Sequence, residues 1–370
     1  MASRSERDAV PAGDREGSDQ KPAGAEKASA ARRRRILAVV NPVSGLYPQD
    51  RTVRELRDRA RKMDLELDVV LTRQDLDGEA AIRLQGGEYD CYLAVGGDGT
   101  VMEVATAAIR NGVPMAILPR GTANAVAWHF RIPIEEGHAL KVAAEGTPLQ
   151  VDVARTTQRE FLIMAGLGYD AHVIEAATRE LKKRLGFLAY LFAALKQLRR
   201  RSHVFRIYLD DDDPILVSGA TAVVTNTGTL AGNLRLLPDV SPLDGLMDVV
   251  VISPENFGSF FRMVLLGMVG RLGRDPRVKT WRARRVRIQC RPAAPLEIDG
   301  DSMGIQRELQ AEVLPKALTL MVLSEGMPWF PWGEKLWPGG GAFPWSKSAR
   351  AKKAAPAGSS PKTPVEPVPE

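Results

Sequence analysis

Leu93-Ala-Val-Gly-Gly-Asp-Gly-Thr100 is the stretch that decides the reading of this chain. An apolar run ends in three glycines around one aspartate, and helix-like text over 101–109 follows at once. Strand, glycine turn, helix is how a backbone offers amides to a phosphate. Glycine permits the close approach to an anion and tolerates positive φ. Asp98 sets this turn apart. A carboxylate beside phosphates is repelled unless a cation or a proton transfer compensates. The segment therefore points to phosphoryl chemistry, beyond simple phosphate holding.

Working outward, apolar runs suited to buried strands occupy 36–40, 65–71, 92–95 and 114–118, with helical text at 52–63 and 79–84. Strands alternating with helices predict a parallel, doubly wound sheet. Ligands of such sheets sit at the carboxyl ends of the strands. Asn41, Thr72, Asp98 and the run Gly121-Thr-Ala-Asn124 each follow an apolar strand, so all can converge on one crevice. From about residue 150 the texture changes to short strand candidates at 150–154, 160–165, 204–209, 215–226, 247–252, 285–290 and 295–298. Turn signals such as Asp244-Gly245 and Asp299-Gly300 separate several of them, which predicts a mostly antiparallel β domain. Helical text interrupts it at 168–184, 186–199 and 256–271, and a last strand falls at 318–323.

The expected organisation is a disordered basic tail over 1–33, a nucleotide-binding domain over 34–149 and a β-sandwich acceptor domain over 150–315. A strand near 316–325 returns to the first domain, and 327–370 reads as a Trp-, Pro- and Lys-rich tail. The net charge of +6 comes from the ends: residues 36–326 carry 36 basic and 36 acidic side chains. That balance argues against a nucleic-acid partner, which would call for a basic face on the folded body. Two cysteines, Cys91 and Cys290, exclude a disulfide framework. No run approaches the roughly 18–20 apolar residues of a membrane span. The expectation is a cytoplasmic protein, soluble or peripheral to the inner face of the membrane.

Four further segments join the first: Asn41-Pro-Val-Ser-Gly45, Pro119-Arg-Gly-Thr-Ala-Asn124, Pro238-Asp-Val-Ser-Pro-Leu-Asp-Gly-Leu-Met-Asp248 and Ile298-Asp-Gly-Asp301. Together and in this order they resemble the diacylglycerol kinase catalytic family, with its sphingosine kinases, ceramide kinases and bacterial soluble lipid kinases. The resemblance covers residues 34–325, and the glycine-Asp-glycine-Thr core is shared with NAD kinases. It implies an α/β plus β fold: a Rossmann-like N-terminal nucleotide-binding domain, then a C-terminal, mostly antiparallel β-sandwich, with the active site in the cleft between.

The resemblance also implies roles. Nucleotide contacts carry over to Asn41, Thr72, Gly96, Gly97, Asp98, Gly99, Thr100, Gly121, Thr122 and Asn124. A structural magnesium site maps to Asp244, with the backbone carbonyls of Ser241 and Leu246. The general base maps to Asp301, and Asp98 organises Mg²⁺ and phosphate. The cofactors implied are ATP and Mg²⁺. The partner implied is a lipid substrate at a membrane surface, diacylglycerol or a related lipid, and a homodimer is left open. Each aspartate has a plainer reading: a helix N-cap for Asp98, a turn for Asp244 or Asp301. Asp152, Asp170 and Asp239 also fall near acidic positions of the family. This chain departs from the family at Ala125 and Asp301, where relatives carry Asp and Glu, and its 46–50 loop lacks the usual basic residues. A small-molecule kinase of the NAD kinase type, or a lapsed nucleotide-binding module recruited to membranes, are the alternatives. The apolar stretches 186–195 and 257–272, the latter followed by Arg274 and Arg277, are candidates for an acceptor entrance or a membrane face. So is the tail that carries Trp329, Trp332, Trp337 and Trp345.

Overall fold

The structure, a computed structural model, describes residues 33–44, 49–133, 135–168, 203–231, 234–235, 237, 239–269 and 271–323. Both expected tails, the 45–48 loop, Asp170 and the helical text over 169–199 lie outside the described residues.

Four strands open the chain: β1 (Arg35–Val40), β2 (Glu66–Leu71), β3 (Cys91–Gly96) and β4 (Met115–Pro119). They are parallel and ordered β4-β3-β1-β2. β1, β3 and β4 are apolar on both faces because helices cover both. Ile36, Ala38, Val40, Leu93 and Leu118 pack with Leu56 of α1 (Gln49–Lys62) and Leu140 of α5 (Glu136–Glu145). Leu37, Val39, Ala94 and Ile117 face the other way, onto Ile82 of α2 (Gly78–Gln85) and Val101 and Val104 of α3 (Asp98–Asn111). The chain steps from β1 outward to β2, then returns to place β3 on the opposite side of β1. The order therefore reverses between β1 and β3, and a crevice opens at their carboxyl ends.

The second half is antiparallel. It comprises β5 (Thr147–Thr156), β6 (Glu160–Phe161), β7 (Met164–Leu167), β8 (His203–Leu209), β9 (Ile215–Gly219), β10 (Thr221–Thr225), the small pair β11 (Thr229–Ala231) and β12 (Leu234–Arg235), β13 (Met247–Ile252), β14 (Val278–Ala283), β15 (Arg285–Ile298) and β16 (Asp301–Val322). Phe161, Phe205, Ile207, Val249 and Ile288 are fully buried in its core. The described chain is thus a Rossmann-like α/β domain followed by an antiparallel β-sandwich. β16 belongs to both: it pairs with β15 and β5, and its Leu320 lies beside Met115 of β4 in parallel register. Between the two stretches of its pairing with β5 the register shifts, at Lys316 with φ +54°.

Several elements differ from expectation for local reasons. The strand expected over 160–165 is broken into β6 and β7, because the Asp299 carboxylate takes the amides of Leu162, Ile163 and Met164 at 2.9–3.0 Å. The strand expected over 215–226 turns after Gly219, where a Cβ would stand 2.6 Å from the Val251 side chain. The strands expected over 285–290 and 295–298 are one, β15, with a register shift between Gln289 and Ala294. Helices α4 (Ala125–His129) and α5, and strand β14, were not foreseen.

Candidate active site

The crevice is built from backbone. Asn41 leaves β1 and donates its amide to Val95 O at 3.0 Å, which ties the ends of β1 and β3. Its side-chain Nδ2 donates to Thr100 Oγ1 at 3.2 Å. Thr72, buried at the end of β2, donates its amide to Val40 O at 3.0 Å. Gly96 and Gly97 then turn the chain into α3. A Cβ on Gly96 would lie 2.5 Å from Thr100 Oγ1, so no larger residue fits there.

The second loop lies against the first. Arg120 N donates to Gly96 O at 2.7 Å. A Cβ on Gly121 would stand 2.5 Å from the Gly97 Cα. Asn124 adopts φ +46°, a conformation that asparagine tolerates. It clasps the loop by accepting from Gly121 N and donating to Gly121 O, both at 2.8 Å. Gly99 and Thr122 face outward; no atom comes within 4 Å of a Cβ built on Gly99. Two glycine loops with first-turn amides of α3 thus line one concavity that suits an anion.

Asp98 is half-buried at the start of α3, but it does not cap that helix. Its Oδ1 accepts from Val126 N at 3.3 Å, at the start of the neighbouring α4. Burial pushes its carboxyl above the usual aspartate range, and the amides of residues 124–126 oppose that push. Asp98 therefore couples the two loops, and Ala125, buried beneath, carries no polar group there.

Asp301 opens β16 with its side chain 60% exposed, and it accepts from Arg159 Nη1 at 2.8 Å. Arg159 also donates through Nη2 to Ile298 O at 2.9 Å. The charges of Asp301 and Arg159 both reach Glu103 on α3, and α3 packs on β16 and β6. Asp301 thus belongs to the α3 side of the cleft. Glu103 accepts from Gly78 N at 2.8 Å, and burial raises its carboxyl. Glu103 and Arg159 were not singled out from the sequence. The helical spacing of Thr100 and Glu103, three residues apart on one face, was the available signal for the first.

The acidic group of the second domain lies elsewhere. Asp244 pairs with Arg282 Nη2 and accepts from Leu246 N at 3.2 Å. Strand register places Arg282 directly opposite Asp248, whose Oδ1 lies 3.4 Å from Arg282 Nε. Ser241 is half-buried in the same turn. Among the described residues no group of three His, Cys, Asp or Glu side chains could hold a metal ion. A guanidinium already occupies the Asp244 carboxylate, so these residues do not fit a divalent cation as they stand. Asp152 is buried and works as a staple: Oδ2 accepts from Gly245 N at 2.7 Å and Oδ1 from Lys316 N at 2.8 Å.

Residues 35–156 match the family described as the diacylglycerol kinase catalytic domain. Residues 164–322 match the YegS C-terminal NAD kinase beta sandwich-like domain. The diacylglycerol kinase of Bacillus subtilis is 30% identical over 236 residues, which cover 61% of this chain and 75% of that one. That of Staphylococcus saprophyticus is 26% identical over 277 residues, covering 74% and 90%. The crystal structure of a diacylglycerol kinase from Bacillus anthracis superposes with a TM-score of 0.61 at 19% identity, over 78% of this chain and 96% of that one.

Proposed function

This chain belongs to the diacylglycerol kinase family, and on that premise we propose that it transfers the γ-phosphoryl group of ATP to a hydroxyl of a lipid, diacylglycerol or a close relative. The observation that carries the reading is the contact of the two glycine loops across Asp98. Phosphoryl transfer asks mainly for positioning and for neutralisation of charge on the phosphate oxygens. Amides of residues 96–100 and 122–123 supply donors to the nucleotide phosphates, while those of Gly121 and Asn124 hold the loop itself. Asn41, through Thr100, holds the first turn of α3 in place.

At the start of α3 the crevice offers the Asp98 carboxylate, a hard oxygen donor of the kind Mg²⁺ accepts. Mg²⁺ bound with the nucleotide would neutralise phosphate charge while keeping most of its waters. Asp301 accepts the proton of the lipid hydroxyl, whose oxygen then forms a bond to the γ-phosphorus as the bond to the β-bridging oxygen breaks and ADP leaves. Arg159 holds the Asp301 carboxylate in place for this. No step runs through Asp244.

The test incubates the purified full chain with γ-labelled ATP, Mg²⁺ and mixed-lipid vesicles. Label in a lipid product supports the reading; label in NADP, with lipids untouched, replaces it with the NAD kinase alternative.

A further inference from the structure

The helix α6 (Phe257–Met268) packs on the outside of the sandwich through one face. Its start is fixed by a capping box: Ser259 N donates to Asn256 Oδ1 at 2.9 Å and Asn256 N to Ser259 Oγ at 3.0 Å. Met263 is buried against Leu237, Val250 and Val278. The opposite face is apolar as well. Phe261, Leu265 and Val269 follow one another at intervals of four residues, one helical row, and are 44%, 48% and 65% exposed. A solvated helix face does not ordinarily carry three large apolar side chains in line.

Charge surrounds this row. Residues 255–279 contain five basic and two acidic side chains, while the remainder of 36–326 holds 31 basic and 34 acidic ones. Both acids are already matched. Asp275, buried, takes Arg262 at 2.6 Å, and Glu255 takes Arg277 at 2.9 Å. Arg271 and Arg274, just beyond the end of α6, are exposed, and among the described residues neither carries an ion pair. An apolar row bordered by cations matches the boundary of an anionic bilayer, with side chains among acyl chains and cations at headgroups. Self-association through this face is the rival reading, and the experiment below separates the two.

We propose that the α6 face, Phe261, Leu265 and Val269 with Arg271 and Arg274, docks this protein onto anionic membrane. Among the described residues no helix is long and apolar enough to cross one, so this contact would be interfacial. Its position suits the activity proposed above, on which its biological use rests. α6 packs on β12, β12 pairs with β11, and β11 packs on α4, the helix that Asp98 engages. The docked face is thus joined to the phosphate loops through one hairpin, and a lipid acceptor would have a short way in.

The experiment is flotation of the full chain with phosphatidylcholine vesicles, with and without phosphatidylglycerol. Wild type floats with the anionic vesicles only. Leu265→Asp/Val269→Asp and, separately, Arg271→Glu/Arg274→Glu lower partitioning by about tenfold or more, at unchanged melting temperature. Wild type that stays behind from anionic vesicles, or both double variants floating like wild type, would overturn the proposal. So would a variant that turns a dimer into a monomer while flotation is unaltered, since the face would then serve self-association. Flotation requires no turnover, so loss of the kinase reading would leave this result standing, and the reverse holds too.

Discussion

Gly97 and Gly121 touch backbone to backbone: a Cβ on Gly121 would lie 2.5 Å from the Gly97 Cα. Residues 24 apart in sequence thereby make one anion cradle from the ends of β3 and β4. The contact fixes the spacing of the loops, and Asp98 bridges them through the amide of Val126.

Gly121→Ala must push the loops apart, because backbone and not a flexible side chain stands in the way. The expected cost is about 1–3 kcal/mol of stability. Nucleotide affinity should fall by about tenfold or more, readable by calorimetric titration with ATP. Gly99→Ala, where nothing lies within 4 Å, should keep wild-type stability and serves as the control.

Asp299 holds the β6–β7 break through three amides. Asp299→Ala leaves those donors without their partner, and the expected loss is about 2–4 kcal/mol, measured by urea unfolding. Asp301→Ala, two residues on and exposed, removes one surface ion pair and should cost less than about 1 kcal/mol. The two substitutions thus separate framework from chemistry within one Asp-Gly-Asp turn.

The same aspartate gives stability a pH dependence. Burial raises the Asp299 carboxyl to about 6, with the three amides opposing. Its folded value lies above the unfolded one, near 4. Its contribution is therefore complete below pH 4 and is lost as pH rises through about 6. The size is up to about 3 kcal/mol. Unfolding free energies taken between pH 4 and 7 should show this fall, and Asp299→Asn should flatten it.

Much of the nucleotide half is legible in the sequence because it depends on short-range signals. Glycine spacing, apolar strands and helix starts lie within a few residues of one another, and a parallel sheet then gathers Asn41, Gly96–Thr100 and Gly121–Asn124 at neighbouring strand ends. What was missed depends on long-range pairs. Arg159 meets Asp301 across 142 positions, and the amides that split an expected strand belong to a carboxylate 135–137 residues away. No local pattern encodes those contacts. Asp244 makes the same point: strand register sets Arg282 opposite Asp248, from where it also reaches Asp244, a pairing that the Asp-Gly turn alone does not announce.

Arg282 therefore gives metal removal a definite outcome. EDTA should leave the melting temperature of the nucleotide-free protein unchanged, because a guanidinium and not a cation faces Asp244 and Asp248. Arg282→Met should destabilise the protein by about 1–2 kcal/mol, after allowance for the exposure of the pair. Millimolar Mg²⁺ should restore part of that loss. A drop in the wild-type melting temperature on chelation would contradict this reading of the turn.

The most direct test of the central claim compares wild type with Asp98→Asn for transfer of label from γ-labelled ATP to diacylglycerol in anionic vesicles. The account predicts labelled lipid from wild type, and a rate at least about 100-fold lower from the variant at unchanged melting temperature. Equal rates from both proteins, or no labelled lipid from wild type across a broad panel of lipid alcohols, would contradict it.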